Sequence, residues 1–325
     1  MSQQTGSSSP SVAPQPQSAT ARLPGTSANC GAGFDCLALA LAVYNRVTVI
    51  RLTTSAAELH ARASCWSAVP QRDSDAPALD MVLMAARAFG DAAHVSGFAF
   101  SFRIEGEVPS ARGVGSSATV IGGVAAALNA LAASPLSQRQ LISVTARVEG
   151  HADNAAAAFL GGFCVARCDP ASNAYIDAIR FAVPSTLRFI VASPALELLT
   201  KQSRSCLPAA VPHRLAASSI SSCAYMVAAF ATGDYVRLRG CVCDFMHEPH
   251  RLPMIPGAAD AIAHGVAAGA YAGWLSGSGS SVLCVCEAAE AEAVAERMCA
   301  AFSARGVACE VRSLAADNDG CVVDV

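Results

Sequence analysis

A glycine-rich string, Pro109-Ser110-Ala111-Arg112-Gly113-Val114-Gly115-Ser116-Ser117-Ala118, stands directly before a strongly helical run. Gly113 and Gly115 let the backbone approach an anion with no Cβ in the way. A helix that begins at Ser116 aims its unpaired N–H groups and the positive end of its dipole at the same spot. The combination reads as a phosphate cradle, although small residues ahead of an Ala-rich helix also serve tight helix packing. Lys201 is the only lysine in the chain. A Walker loop needs Gly-Lys-Ser/Thr and a protein kinase needs a strand lysine, so both nucleotide-binding classes lack an indispensable cation. If this loop holds ATP, it does so without a lysine.

Four further segments carry polar chemistry. Pro24-Gly25-Thr26-Ser27-Ala28-Asn29-Cys30-Gly31-Ala32-Gly33-Phe34-Asp35 is dense in turn residues, with Asn29 and Asp35 as its useful side chains. By itself such a string also fits a surface turn in which Asp35 caps a helix starting at Cys36. Glu149-Gly150-His151-Ala152-Asp153-Asn154 offers a carboxylate suited to Mg²⁺, which takes one or two protein ligands plus phosphate oxygens and water. Thr200 and Arg204 lie four apart, on one helical face, and Glu248-Pro249-His250-Arg251 supplies a second arginine. Beyond these four, Gly269 to Ser280 is a flexible Gly/Ser turn between two strands. His247 and His250 are no zinc pair, because Pro249 breaks the helix such a site requires.

Taken together, these strings resemble the homoserine kinases of the GHMP small-molecule kinase family. The phosphate loop is similar to Pro-x3-Gly-Leu-Gly-Ser-Ser-Ala, with Val114 for leucine. Thr26 to Asp35 resembles Thr-Ser-Ala-Asn-x-Gly-x-Gly-Phe-Asp, and Glu149 to Asn154 resembles Glu-Gly-His-Pro-Asp-Asn with Ala152 for proline. Arg204 and Arg251 fall in a Ser/Thr-x3-Arg and a Pro-x-Arg-x3-Ile-Pro element, and Ser280 replaces the usual proline of the third GHMP motif. The resemblance spans roughly Arg22 to Arg312.

The resemblance implies ATP-dependent phosphorylation of the L-homoserine hydroxyl, a step of threonine biosynthesis. It assigns ATP to Pro109, Arg112, Gly113, Val114, Gly115, Ser116, Ser117 and Ala118. Mg²⁺ falls to Glu149 with Ser116 or Ser117, and homoserine to Asn29, Asp35, His151, Thr200, Arg204 and Arg251. Homoserine is a zwitterion, so Asp35 suits its ammonium, and the two arginine forks suit its carboxylate. Catalysis would rest on Arg251 and on Asn154, which positions the hydroxyl, with no strong general base. A GHMP kinase for another alcohol, such as threonine or mevalonate, and a catalytically silent sensor of amino acid or nucleotide are the competing readings.

These groups need elements to position them. Short β-like runs alternate with helical ones, an α+β pattern. Asn45–Leu52 and Gly97–Ile104 read as strands, Ala78–Ala93 and Ser117–Ala133 as helices, so the glycine loop joins strand to helix. Ser137 with Gln140 predicts a capping box on a helix that ends near Gly150, which sets Glu149 and His151 at a helix end. The resemblance implies the two-domain GHMP architecture: an N-terminal ATP-binding domain like domain 2 of ribosomal protein S5, residues 21–184, and a ferredoxin-like C-terminal domain, residues 185–325. Residues 1–20, rich in Ser, Gln, Pro and Thr, read as a disordered tail.

The 325 residues are 53% apolar, enough for a large core. A net charge of −3 leaves no footprint for nucleic acid, and no basic block or 18-residue apolar run speaks for a membrane. The fourteen cysteines include no Cys-x-x-Cys pair and sit partly in apolar runs such as Val282 to Cys286, which suits buried thiols in a reducing compartment and disfavours zinc. A cytoplasmic enzyme for a small-molecule substrate is expected, with a homodimer left open.

Overall fold

The structure, a computed structural model, describes residues 16–52 and 65–325 apart from Leu199 and the side chains of Thr200, Lys201 and Gln202. Residues 1–15 of the expected tail lie outside the described residues. Ser18, inside that expected tail, already begins β1.

The first half of the chain comprises β1 (Ser18–Ala28), β2 (Leu37–Arg51), β3 (Ser67–Pro70), α1 (Leu79–Ala93), β4 (Ala99–Gly106), α2 (Ser116–Leu131), α3 (Gln138–Glu149), α4 (Asp153–Leu160), β5 (Phe163–Cys168) and β6 (Tyr175–Phe181). β2 is the hub of its sheet. It runs antiparallel to β1, to β4 through Asn45–Arg51 and to β5 through Leu37–Leu39.

The helix expected from Cys36, and with it a capping role for Asp35, is replaced by the first half of β2. Leucine and alanine favour helices in isolation. Here they alternate, and Leu37, Leu39 and Leu41 face a core shared with the second sheet while Ala38 and Ala40 face the helices. A period of two with both faces buried outranks propensity. The register shifts opposite Pro24 and Gly25, and beyond it Val47 and Val49 join the helix side.

The second half comprises β7 (Leu187–Pro194), α5 (Thr200–Ser205), α6 (His213–Thr232), α7 (Glu248–Arg251), α8 (Ala258–Ala267), β8 (Ala272–Leu275), β9 (Val282–Glu287), α9 (Ala291–Ser303) and β10 (Cys309–Leu314). Its antiparallel sheet has the order β10-β7-β9-β8. Both faces are covered. In β9, Leu283 and Val285 point to the first sheet, and Val282, Cys284 and Cys286 point to the face covered by α8 and α9. A continuous apolar layer therefore joins the sheets, with Phe163 of β5 stacked on Phe230 of α6 at 3.9 Å. Pro184 lies between β6 and β7, hence between the sheets. The chain's last strand, β11 (Val322–Asp324), nevertheless returns to pair with β1, so residues 185–325 do not all lie on the second sheet.

The element that carries the glycine loop, α2, is buried along nearly its whole length. It sits very close to the sheet. A Cβ at Gly122 would lie 2.8 Å from Phe159 and 2.9 Å from Leu23, and one at Gly123 would lie 2.5 Å from Val47. Gly123→Val should therefore push α2 off the sheet and destabilise the fold by about 1–3 kcal/mol, the usual cost of overpacking. Denaturant titration measures this, and an unchanged midpoint would show that the contact is not tight.

Candidate active site

Between β4 and α2 the chain turns through Ala111, Gly113 and Gly115 in the left-handed region, at φ 55°, 74° and 68°. Space as well as backbone demands glycine here. A Cβ at Gly113 would lie 2.2 Å from the Ser276 carbonyl oxygen, and one at Gly115 would lie 1.9 Å from Thr26 Oγ1.

Four consecutive carbonyls of this loop accept hydrogen bonds from elsewhere in the chain. Ala111 accepts from Leu198 N–H at 3.3 Å, Arg112 from Ser281 N–H at 3.0 Å, and Val114 from Thr26 N–H at 3.0 Å. Gly113 accepts from Ser276 Oγ at 2.7 Å. With its carbonyls tied away, the loop presents Gly113, Gly115, Ser116 and Ser117 to a cavity of about 560 Å³. The N–H groups of the first helical turn have no intrahelical acceptor, so they are available to an anion there.

The cavity gathers most of the residues named from the sequence: Pro109, Ser116, Ser117, Glu149, His151 and Asn154 at the loop, and Asn29, Asp35, Arg204 and Arg251 on the opposite side. It does not gather all of them. Val114 and Ala118 are buried in the core, and the Arg112 guanidinium turns away to donate to the Pro194 carbonyl. The side chain of Thr200 lies outside the described residues.

At the loop end, Ser117 Oγ donates to Glu149 Oε1. Burial raises the Glu149 carboxyl above its usual range, against the opposing pull of His151 and Ser117. His151 Nδ1 lies 2.7 Å from Asp153 Oδ1, and Nε2 lies 3.8 Å from Glu149 Oε2. Burial opposes charge on His151, but the hydrogen bond and field of Asp153, with Glu149, outweigh it and raise the imidazolium to about 9. Asn154, in the first turn of α4, accepts from Thr26 Oγ1 through Oδ1 at 2.6 Å. That bond fixes the amide orientation; one Nδ2 hydrogen goes to Asp153 Oδ1 at 3.4 Å, and the other is left for the cavity.

On the opposite side, Asp35 and Arg204 form a two-pronged pair at 2.6 and 3.0 Å. Asn29 is a brace: its Nδ2 donates to the Gly277 carbonyl at 2.8 Å, and its Oδ1 accepts from Asp35 N–H at 3.0 Å. Arg251 is only 2% exposed. It donates through Nε to the Ser203 carbonyl at 3.2 Å and through Nη1 to the Gly277 carbonyl at 3.3 Å. The turn that carries it is set by Asp244, whose carboxylate accepts from the N–H groups of Met246, His247 and Glu248 at 2.7 to 2.9 Å.

Several contributors escaped the sequence reading. Thr26 carries no chemistry that its sequence neighbours announce, yet it orients Asn154. Asp153 holds His151, and Asp244 closes the turn ahead of Glu248-Pro249 by accepting from three successive backbone N–H groups. Asp75, Met81, Ile104 and Val108 also line the cavity. Met81 Sδ lies 3.8 Å from Ser117 Oγ, so this apolar portion adjoins the phosphate loop.

The two-sheet fold and the pinned glycine loop define a GHMP kinase. The GHMP kinases N terminal domain model matches residues 80–162, and the GHMP kinases C terminal model matches residues 226–304. The homoserine kinase of Moorella thermoacetica is 35% identical over 93% of this chain and 98% of its own length. That of Microchaete diplosiphon is 35% identical over 93% of this chain and 96% of its own. The crystal structure of homoserine kinase from Cytophaga hutchinsonii superposes with a TM-score of 0.82 at 22% identity, covering 96% of this chain and 99% of that one. Within the GHMP kinases, the chain belongs to the homoserine kinase family.

Glu248 supplies a test of the packing behind the site. Its carboxyl accepts from Leu275 N–H at 2.6 Å. Burial raises it from a usual 4.5 to about 8, and the Leu275 bond opposes that rise only in part. Between those values the folded state keeps a proton that the unfolded chain releases, so this contribution to stability is complete below 4.5 and declines as pH rises through about 8. Glu248→Gln keeps an acceptor and cannot ionise. The melting temperature of the variant minus that of the native protein should grow with pH and level off above about 8; a difference independent of pH would refute a neutral Glu248.

Proposed function

We propose that the chain transfers the γ-phosphoryl group of ATP to the hydroxyl of L-homoserine, giving O-phospho-L-homoserine for threonine biosynthesis. The observation that carries this reading is one cavity with an anion cradle on one side, Asp35, Arg204 and Arg251 on the other, and Asn154 against the cradle. A zwitterion with a terminal hydroxyl matches that order of charges.

The triphosphate lies on the N–H groups of Gly115, Ser116 and Ser117, and the apolar lining at Met81, Ile104 and Val108 suits a flat base. Glu149 and Ser117 fit Mg²⁺ shared with phosphate oxygens: a buried carboxylate beside a hydroxyl is a good pair of oxygen ligands. Among the described residues no cluster of three or more His, Cys, Asp or Glu could hold an ion without such help. When bound, the ion neutralises charge on the phosphates.

At the substrate end the amino group meets Asp35 and the carboxylate meets Arg204 and the cavity-side nitrogen of Arg251. Asp35 and Arg204 must part for this. Both are more than a third exposed, at 34% and 38% of the side chain, and so exposed a pair is worth only about 0–1 kcal/mol. A ligand that brings each partner a new counter-charge separates them at little cost.

Asn154 Nδ2 then orients the hydroxyl toward the γ-phosphorus. As the new O–P bond forms, the bond to the β,γ-bridging oxygen breaks, and the hydroxyl proton passes to a phosphoryl oxygen. His151 is no base for that proton, because Asp153 and Glu149 keep it an imidazolium. Positioning and charge neutralisation supply the rate.

ADP release with Mg-ATP and homoserine, threonine, serine or mevalonate tests the reading. Turnover should be confined to homoserine, and Arg251→Ala should lower its kcat/KM roughly 10- to 150-fold, the worth of about 1.5–3 kcal/mol for a hydrogen bond to a charged group. Turnover of threonine alone would reassign the alcohol. Binding of nucleotide and homoserine without turnover would leave a sensor.

A further inference from the structure

His247 is a completely enclosed side chain next to the site, with no exposed surface, yet it is not among the residues that line the cavity. Its two nitrogens face different elements. Nδ1 lies 3.4 Å from Arg251 Nη1, and Nε2 lies 2.7 Å from the Gly31 carbonyl oxygen. The tautomer follows from the partners. A guanidinium only donates, so Nδ1 accepts, and the ring proton sits on Nε2 and goes to Gly31. The ring also stacks on Phe34 at 5.3 Å. The guanidinium carbons of Arg251 and Arg204 stand over that same Phe34 ring, at 5.3 and 5.5 Å from its centroid.

Granting that Arg251 and Asp35 bind the amino acid, as proposed above, we infer that His247 is a positioning residue which, as the neutral Nε2–H tautomer, locks the Arg251 fork to the Gly31–Asp35 loop. One imidazole thus fixes the separation between the group that reads the carboxylate and the loop that presents the group reading the ammonium. Two guanidiniums near each other repel. Phe34 gives both a π-face, and His247 holds one of them by a directional bond that the ring face cannot supply.

The arrangement depends on the charge of the ring. Burial lowers the tendency of His247 to take a proton, Asp244 raises it, the Gly31 carbonyl raises it, Arg251 lowers it and Asp35 raises it; the net shift is downward. Asp244 Oδ2 lies 3.6 Å from Nε2, the neighbouring Glu248 carboxyl is held neutral by burial, and the Arg204 guanidinium stands across Phe34. Protonation at Nδ1 would turn the acceptor for Arg251 into a second cation against it. The lock is therefore intact at neutral pH and opens below the ordinary histidine value of about 6.5.

Steady-state kinetics of His247→Phe and His247→Asn test the lock. Phenylalanine keeps the stack on Phe34 and removes both hydrogen bonds, whereas the Asn carbonyl can occupy the place of Nδ1 and accept from Arg251. The Phe variant should raise KM for homoserine at least tenfold with KM for ATP and kcat within about threefold, and the Asn variant should recover most of that loss. In the native protein, KM for homoserine should climb in acid, at a pH below the ordinary histidine value of about 6.5, and that rise should be absent from the Asn variant.

Equal KM values for homoserine in all three proteins, or equal rises in both KM values, would overturn the lock while leaving homoserine turnover standing. A native KM for homoserine that rises at acid pH no more than that of the Asn variant would overturn it, even if the Phe variant fails to fold. Failure of native turnover would instead strike the kinase reading itself.

Discussion

The phosphate cradle depends on where four carbonyls go. Ala111, Arg112, Gly113 and Val114 each give their oxygen to a donor outside the loop, and those donors come from both halves of the chain: Thr26 on β1, and Leu198, Ser276 and Ser281 around the second sheet. An anion site made of backbone amides requires that carbonyls turn away from it, since each would repel a phosphate. The left-handed glycines permit that turn, and the external donors hold it. The cradle is therefore a property of the docked sheets, and the apolar layer of Leu37, Leu39, Phe189, Trp274 and Leu283 between them is a condition for phosphate binding as well as for stability.

The two arginines differ in how they are held. Arg251 is buried with two backbone carbonyls and an imidazole as partners, and only the cavity side is left to a ligand. Its geometry exists before any ligand arrives, which reduces the ordering cost of binding. Arg204 is half-exposed and paired to Asp35, the charge the ligand must recruit. On the proposed reading, a rigid fork would supply register, and a labile pair would supply charges that stay matched until a zwitterion replaced each with a better partner. Exchange of one pair for two keeps net charge at this end of the cavity unchanged, so little electrostatic work opposes entry.

Local strings carried most of the site, because the groups that make a glycine turn, a capping box or a helix-end carboxylate are neighbours in sequence. Gly113 to Ser117, Glu149 and Asn154 were legible for that reason, as was the capping box of α3, where Ser137 and Gln140 satisfy each other. What escaped is the set of contacts made across the fold. Thr26 orients Asn154 from 128 residues away, and His247 reaches Gly31 across 216. Neither residue type announces such a partner. The Leu-Ala alternation of β2 is not decided by propensity, which favours a helix there; burial of both faces explains the strand. Arg112 shows the opposite failing: its place in a phosphate loop suggested an anion contact, while its length lets it brace the loop against β7 instead.

The charges at the loop end also bear on what kind of catalyst this can be. A general base must be able to accept a proton, yet His151 is an imidazolium held by Asp153, and Glu149 is raised by burial but engaged by Ser117. Asn154 is an amide and has no proton chemistry near neutrality. The phosphoryl oxygens themselves are acceptors for that proton. Phosphoryl transfer through a loose transition state demands little basicity at the attacking hydroxyl, since its O–H bond is largely intact when the leaving bond has lengthened. A site that fixes the alcohol through its distant ammonium and carboxylate, and surrounds the phosphates with amides and cations, concentrates its effort where that transition state gains charge. The absence of a base among these residues is thus consistent with the proposed reading, on which binding energy collected at Asp35, Arg204 and Arg251 would be converted into the alignment of a hydroxyl that Asn154 completes.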